Sequence, residues 1–289
     1  MIRLGGLIDA HVHLAAPDVT IGVPIEDFRR IGVVGVVESG SYGVKDFEVA
    51  AARWRGQGMP VRVYANVSPF GLRDPRSEWG PPSDDPLSDF QAAGIRPDGV
   101  KVRLGQHSGR DDVQDAIRAR DAAQALGIRL MVHVTGATCD PDKLLAALRP
   151  SDVLTHCFCT APFSLLDGAG KVRKSAREAR GRGVIFDLAH GATGHFDPMV
   201  AQAAIAQGFG PDFISTDWAN QPHGGRGPDL VTAMRELLEL GMSLEDVVTA
   251  VTEAPARAYG FAISQPGDES FVEFDDLLLP IRTVSGATP

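Results

Sequence analysis

The stretch "GLIDAHVHL" (6–14) places an apolar run directly before two histidines, His11 and His13, that are separated by one residue. A short apolar run of this kind is typical of a buried strand. Residues i and i+2 of a strand face the same way, so both imidazoles can point to one side at its carboxyl end. Such a pair can bind one metal ion, or the two rings can be ordinary polar residues that are hydrogen-bonded to neighbouring loops.

Similar apolar runs recur along the chain at comparable intervals. The eight predicted strands cover residues 6–14, 33–39, 61–68, 99–104, 128–135, 152–158, 184–190 and 212–218. Segments with apolar residues at three-to-four spacing lie between them, which predicts helices. This alternation favours an α/β fold, a closed (β/α)8 TIM barrel. The competing fold is an open doubly wound sheet, but the glycine-rich phosphate loop typical of such sheets does not follow an early strand here.

The composition argues against a nucleic-acid-binding or membrane protein. The 289 residues include 37 acidic and 28 basic ones, for a net charge of −9. The basic run at 170–182 has helical spacing, and we predict a solvated helix face there. Three cysteines are too few for a disulfide framework, and no leader or membrane-spanning run is recognisable. We therefore expect a cytoplasmic protein that binds neither nucleic acid nor membranes, and homo-oligomers remain an option.

Polar residues inside the apolar runs are the candidates for a functional site. They are His11 and His13 in the first predicted strand, Lys101 in the fourth, His133 in the fifth, His156 in the sixth, His190 in the seventh and Asp217 in the eighth. All lie in the carboxyl half of their strands or close to its end, where barrel active sites are built. Burying polar groups without partners costs a few kcal/mol each. Four histidines and an aspartate at these places are a good ligand set for zinc or a similar divalent ion.

Lys101 is the least expected residue of this set. A buried ammonium loses its hydration and would be repelled by metal ions. Two interpretations remain open from the residues alone. Lys101 could pair with an acidic neighbour such as Glu38, or its amine could react with CO2 to form a carbamate, an anion that can bridge two metal ions.

Taken together, these motifs resemble those of the amidohydrolase superfamily in its binuclear form. "GLIDAHVHL", "GVVGVVESGS", "NVSPFGL", "GVKVRL", "LMVHV", "DVLTHCF", "GVIFDLAHG", "ISTDW" and "GMSLEDVVTAVTEAPARAYG" are similar, in this order, to stretches of its dihydroorotase-like and deacetylase-like branch. The likeness covers roughly residues 5–261. It implies a metal-dependent hydrolase of the amide or ester bonds of small acylated amino or hydroxy acids.

The resemblance also implies roles for individual residues. His11, His13 and Asp217 would hold one divalent ion, and His133 and His156 a second, with zinc as the expected metal. Carboxylated Lys101 would bridge the two ions. A metal-activated hydroxide would attack the substrate, and Asp217 would transfer its proton to the leaving group.

The remaining candidates concern the substrate. His190 would contact the substrate's carbonyl or carboxylate, or else cap its strand. Arg103 shares the face of Lys101 and is predicted to meet an anionic substrate, or to be a supporting charge. Trp218 and Asn220 follow the last predicted ligand and are expected to line the pocket. His107, His195 and His223 lie in predicted loops, and no role is assigned to them.

The chain also departs from the pattern of its relatives. They usually carry a small β-sandwich, which we expect to be absent or vestigial here. We therefore predict a barrel over residues 1–262 and a tail over 263–289, a possible remnant of the sandwich. The proline-rich stretch 71–98 is predicted to be a long loop that covers the site. Cys157 and Cys159 follow His156; buried, inert thiols are the expectation, with thiolate ligation by Cys159 as the alternative.

Four rival functions remain. Lactone or cyclic-amide hydrolysis and phosphotriester hydrolysis can use the same bimetal centre. Deamination fits less well, because "HVTGATCD" after His133 lacks the glutamate that superfamily deaminases generally use. A non-catalytic barrel scaffold would be expected to have lost ligands, which this chain retains.

Overall fold

A ring of parallel strands with helices outside it dominates the computed structural model. The structure describes residues 2–16, 21–73, 81–105, 110–191, 194–221, 225–262, 271–274 and 280–284. The strands in these ranges are β1 (Ile2–Leu4), β2 (Leu7–Val12), β3 (Val33–Glu38), β4 (Val61–Asn66), β5 (Gly99–Arg103), β6 (Arg129–His133), β7 (Val153–Thr155), β8 (Ile185–Asp187), β9 (Asn220–Gln221), β10 (Gly225–Arg226), β11 (Phe271–Phe274) and β12 (Pro280–Val284). Strands β2 to β8 form one parallel sheet in sequence order.

Helices connect most of these strands and pack against the outer face of the ring. They are α1 (Ile25–Arg30), α2 (Phe47–Arg55), α3 (Pro86–Ala93), α4 (Asp112–Ala125), α5 (Pro141–Ala147), α6 (Lys174–Gly181), α7 (Pro198–Ile205), α8 (Leu230–Glu239), α9 (Leu244–Val251) and α10 (Glu253–Tyr259). An Asp-Pro dipeptide starts α3, α5 and α7, where the aspartate caps backbone N–H groups and proline occupies the first turn.

Helix α3 corrects one sequence-based expectation. It lies within 71–98, which was predicted to be a loop throughout, and Asp85 accepts a hydrogen bond from the Ser88 backbone at its start. The many Pro, Asp and Gly residues concealed this capping signal. Residues 74–80 of the same stretch lie outside the described residues.

The eighth predicted strand, 212–218, is an extended segment rather than a regular strand. Single bridges join Asp187 to Phe213 on one side and Val12 to Trp218 on the other. The backbone of Asp217 has a φ of 47°, which interrupts a regular ladder. The bridges nevertheless close the ring, so the TIM barrel is confirmed with seven regular strands and one closing segment among the described residues.

A side-chain contact reinforces this closure. The Thr216 hydroxyl donates to Asp9 Oδ2 at 2.6 Å, and the Thr216 backbone N–H donates to Asp9 Oδ1 at 3.1 Å. Asp217 N–H also donates to the carbonyl of His11 at 2.8 Å. The closing segment is therefore held to β2 by three hydrogen bonds at the level of the HxH motif.

Strand β2 contains a β-bulge between Asp9 and Val12, where this motif begins. Asp9 pairs with Val36 but Val12 pairs with Glu38, so β2 has one residue more than β3 over this interval. Ile8 and Ala10 lie inside the barrel. They belong to a cluster with Tyr64, Met131, Val153 and Phe213. Without the bulge, His11 would face away from the interior that Ala10 contacts.

The N-terminal strand and the tail meet in a separate small sheet. Strand β1 pairs antiparallel with β11, and β11 pairs with β12. The division into a barrel at 1–262 and a tail at 263–289 remains a prediction. In the basic run 170–182, residues Lys174–Gly181 form α6, as predicted. Among the described residues, no helix combines the length and the apolar character needed to cross a membrane.

Gly99 provides a test of the barrel interior. It pairs with Tyr64 across β4 and β5, and a methyl group on Gly99 would overlap the buried Tyr64 ring. We expect Gly99→Ala to reduce the free energy of unfolding by about 1–3 kcal/mol, measured by urea denaturation, because the ring must leave its packed position. Gly168 has open space around it, so Gly168→Ala is the matched control. Equal stabilities of the two variants would contradict the packing described here.

Candidate metal centre

Two groups of possible metal ligands lie at the carboxyl end of the barrel. One group is His11, His13 and Asp217, and the other is His133, His156 and His195. Within each group the candidate ligand atoms lie within 4.8 Å of one another, and every residue is buried. The groups are adjacent, because the rings of His11 and His156 are 5.2 Å apart.

The six residues predicted to bind metal converge in this cluster. Asp217 Oδ1 lies 3.2 Å from His13 Nε2 and 3.7 Å from His11 Nε2, and its Oδ2 lies 4.0 Å from His156 Nε2. Lys101 Nζ lies 3.2 Å from His11 Nε2. The rings of His133 and His156 are 4.2 Å apart. The geometry therefore brings the predicted ligands together, while their roles remain predictions.

The orientation of His11 is determined by a hydroxyl and a carboxylate behind it. The Thr155 hydroxyl donates to Asp187 Oδ2 at 2.7 Å, so its oxygen accepts from His11 Nδ1 at 2.8 Å. Nδ1 thus carries the proton, and the lone pair of Nε2 faces Lys101 and Asp217. Such outer partners commonly fix the tautomer of metal-binding histidines.

His13 has an equivalent pair of partners. The Ser41 hydroxyl donates to Glu38 Oε1 and lies 2.8 Å from His13 Nδ1, which donates to it. Glu38 also accepts from the backbone N–H groups of Gly40 and Ser41. Glu38 thus orients His13 through Ser41, while its charge also acts on Lys101.

The second group contains nitrogens that a cation would satisfy. His156 Nδ1 donates to the Ala189 carbonyl at 2.8 Å, so its Nε2 carries the lone pair. The Nε2 atoms of His133 and His156 are buried without a hydrogen-bond partner. His156 also has a φ of 61°, a strained backbone of the kind found at functional sites. Buried imidazole nitrogens and a carboxylate fit a divalent ion such as zinc.

Burial keeps most of these imidazoles neutral. It lowers the pKa of His11 to about 4 and holds the pKa values of His133 and His156 well below the usual range. Burial also acts to lower the pKa of His13, but hydrogen bonds to Asp217 and Glu38 outweigh it and raise that pKa. A neutral imidazole has the free lone pair that metal binding requires.

The surroundings of Lys101 and Asp217 lower the pKa values of both side chains. Burial lowers the pKa of Lys101 to about 7, although the nearby Asp217 carboxylate opposes this. Burial acts to raise the pKa of Asp217, but the hydrogen bond from His13 and the nearby imidazoles hold it well below the usual range. Asp217 is thus ionised at neutral pH, and Lys101 loses its proton to become a nucleophilic amine more readily than an exposed lysine does.

The predicted substrate residues have different surroundings. Arg103 ends β5 and pairs with His133 across the sheet, so its charge lies beside the second group. His190 Nε2 lies 2.7 Å from Glu236 Oε2. The Trp218 ring packs edge-on against Phe28. Asn220 is exposed, and its amide donates to the Gly22 carbonyl at 2.9 Å.

His195 is the residue that the sequence did not reveal. It lies five positions after His190 and directly after Gly194, and the available signal was this concentration of His and Gly after the seventh predicted strand. Cys157 and Cys159 are buried and belong to neither ligand group among the described residues. Burial raises the pKa of Cys159 to about 12, so its thiol stays protonated, in line with the expected inert thiols.

Known proteins resemble the chain in sequence and in structure. No protein-family model matches it. A protein of Enterococcus faecalis named deacetylase is 31% identical over 281 residues, which cover 91% of this chain and 72% of that relative. A dihydroorotase crystal structure has a TM-score of 0.74 and 28% identity, covering 93% of this chain and 74% of that one. An adenine deaminase structure has a TM-score of 0.76 and 25% identity, covering 98% and 82%.

The chain belongs to the amidohydrolase superfamily. This membership confirms the predicted family, the TIM barrel and the class of activity, a metal-dependent hydrolase that acts on C–N bonds. Members of the superfamily generally use a divalent metal centre, and the enzyme relatives act on small molecules.

The Ser41 hydroxyl offers a test of ligand orientation. We expect Ser41→Ala to weaken zinc affinity about 10–100-fold, because His13 loses the group that orients its ring. Competition with a chromogenic chelator measures this affinity. Ser39→Ala is the matched control, since the buried Ser39 hydroxyl donates to the Val37 carbonyl, away from the ligands. Unchanged zinc affinity in Ser41→Ala would contradict the orienting role.

Proposed function

We propose that the protein hydrolyses the amide or ester bond of a small acylated amino or hydroxy acid, with acetyl as the first acyl group to consider. The observation that carries the proposal is the position of Lys101 in one buried cluster with two groups of metal-ligand side chains. The deacetylase name of the Enterococcus faecalis relative supports an acyl substrate.

In this proposal the cluster holds two divalent ions, with zinc favoured by the nitrogen-rich ligand set. His11, His13 and Asp217 hold one ion, and His133 and His156 hold the other. Lys101 lies within electrostatic reach of His11, His133 and His156. Its neutral amine attacks CO2, forms an N–C bond and loses a proton, so that the resulting carbamate anion links the two sites.

Bound divalent ions supply an activated water and polarise the scissile carbonyl. Asp217 performs the proton transfer, because its carboxylate is ionised and faces the imidazoles of both groups. It accepts the proton from water and gives it to the leaving nitrogen or oxygen.

The carboxylate of the substrate is assigned to Arg103. The guanidinium lies at the carboxyl end of β5 beside His133, which places a positive charge next to the reacting centre. A planar guanidinium binds carboxylates with two parallel hydrogen bonds. In this proposal Trp218 and Asn220 line the substrate pocket. His190 contacts the substrate in this proposal. The substrate would then compete with the hydrogen bond between His190 and Glu236.

The zinc-loaded protein is expected to release acetate from N-acetyl amino acids or O-acetyl hydroxy acids. Turnover is measured across both configurations of each acid, together with zinc content. We expect Lys101→Ala to reduce kcat/KM at least about 1000-fold, because the bridging anion is lost. Protein supplied with 13C-labelled CO2 should show a carbamate carbon in its NMR spectrum that Lys101→Ala lacks.

Lys174→Ala is the matched control, because Lys174 is 90% exposed on α6, far from the barrel interior. The same screen includes a lactone, a cyclic amide, a phosphotriester and adenine. Turnover of one of these compounds without turnover of any acyl acid would replace the proposed substrate class.

The guanidinium of Arg103 provides a test of how the carboxylate of the substrate is bound. Arg103→Gln should raise KM about 10-fold or more for substrates with a free carboxylate, since the guanidinium–carboxylate pair is lost. The KM for the corresponding carboxamides should change much less. Arg118→Gln, on the outer helix α4, is the control. An equal change in KM for both kinds of substrate would exclude carboxylate binding by Arg103.

A further inference from the structure

His195 lies directly against the two imidazoles assigned to the second ion. Its ring centroid is 4.4 Å from that of His156 and 5.4 Å from that of His133. The candidate ligand atoms of the three residues lie within 4.8 Å of one another. The His195 side chain is also buried, with a relative exposure of 9%.

Backbone hydrogen bonds on both sides of His195 hold it in this place. The N–H and the hydroxyl of Thr160 both donate to the Gly194 carbonyl, at 3.1 and 3.2 Å. The N–H of Asp197 donates to the Phe158 carbonyl at 2.8 Å. Phe158 and Thr160 follow His156 closely, so the segment that presents His195 is attached to the segment that presents His156.

Gly191 makes room for the ring. A Cβ atom on Gly191 would approach Cβ, Cγ and Nδ1 of His195 to 2.9 Å, which is closer than a side chain tolerates, and the φ of Gly191 is +60°. The position of His195 thus depends on a glycine, on two anchored neighbours and on burial against two further histidines.

The two imidazoles that His195 contacts present buried nitrogens that a cation would satisfy. The buried Nε2 atoms of His133 and His156 have no hydrogen-bond partner, and a desolvated polar nitrogen is costly without one. A positive charge on one ring would also act on the other two, so protonation is a poor solution. One divalent cation would use all three lone pairs, and three histidines with an open position are a known ligand set of catalytic zinc.

We propose that His195 is a third imidazole ligand of the ion that His133 and His156 hold. The inference rests on the metal centre of the proposed function and extends it. It implies that this second ion is retained without the carbamate of Lys101, because three protein nitrogens remain. Zinc coordination should draw one nitrogen of His195 to about 2.0–2.1 Å from the ion.

The test measures metal binding rather than turnover. Zinc content and zinc affinity are determined for the full chain, for Lys101→Ala and for Lys101→Ala combined with His195→Asn. We expect Lys101→Ala to retain the second ion, and the added His195→Asn to weaken its binding at least about 100-fold. His195→Cys in the same background should restore part of the affinity, since a thiolate is also a zinc ligand.

His190→Asn is the matched control, because it removes an imidazole from the same connection without touching either ligand group. It should leave zinc affinity unchanged. Equal zinc affinity with and without His195→Asn, in variants whose circular dichroism matches the wild type, would overturn the proposal, even if turnover fell. Normal zinc binding without hydrolysis of any acyl acid would contradict the proposed function alone, and the coordination test would still stand.

Discussion

Asp217 carries a buried negative charge at the mouth of the barrel, and the surrounding side chains are arranged to compensate it. Three imidazole nitrogens lie within 4.0 Å of its carboxylate oxygens. A charge removed from water is stable only when partners replace its hydration. The same requirement explains why burial lowers the pKa values of His11, His133 and Lys101, while the carboxylates beside His13 raise its pKa. The cluster is thus balanced toward binding cations, which fits the metal centre of the superfamily.

The residues that support this cluster also close the barrel. Asp187 accepts hydrogen bonds from Thr155 on β7 and from Ser215 in the closing segment, and its oxygen also lies 3.3 Å from His11 Nδ1. Asp9 binds Thr216 across the opposite junction. One set of buried carboxylates therefore replaces regular strand pairing at the eighth position and orients the ligands at the same time. A substitution of Asp9 or Asp187 would therefore disturb the closure of the ring and the orientation of the ligands together.

Backbone hydrogen bonds likewise join the loop that follows His156 to the loop that carries His195. The segment after His156 anchors Gly194 and Asp197 on either side of His195. The backbone groups of the "HCFCT" segment thus bind the loop that carries the additional histidine. The thiols themselves are buried and protonated, so the backbone of this segment matters more than its sulfur atoms.

The sequence by itself determined the barrel, its family and the six residues that converge at its mouth. The barrel and the six residues follow from local patterns, because apolar runs report burial and a polar residue inside such a run needs a partner. The family follows from the resemblance of the motifs. Tertiary structure alone decided the β-bulge before His11, the irregular closing segment and the places of Trp218, Asn220 and His190. It also revealed His195, Asp187 and Ser41 as neighbours of the ligands. These depend on contacts between segments far apart in the chain, and such contacts leave no periodic signal in one sequence.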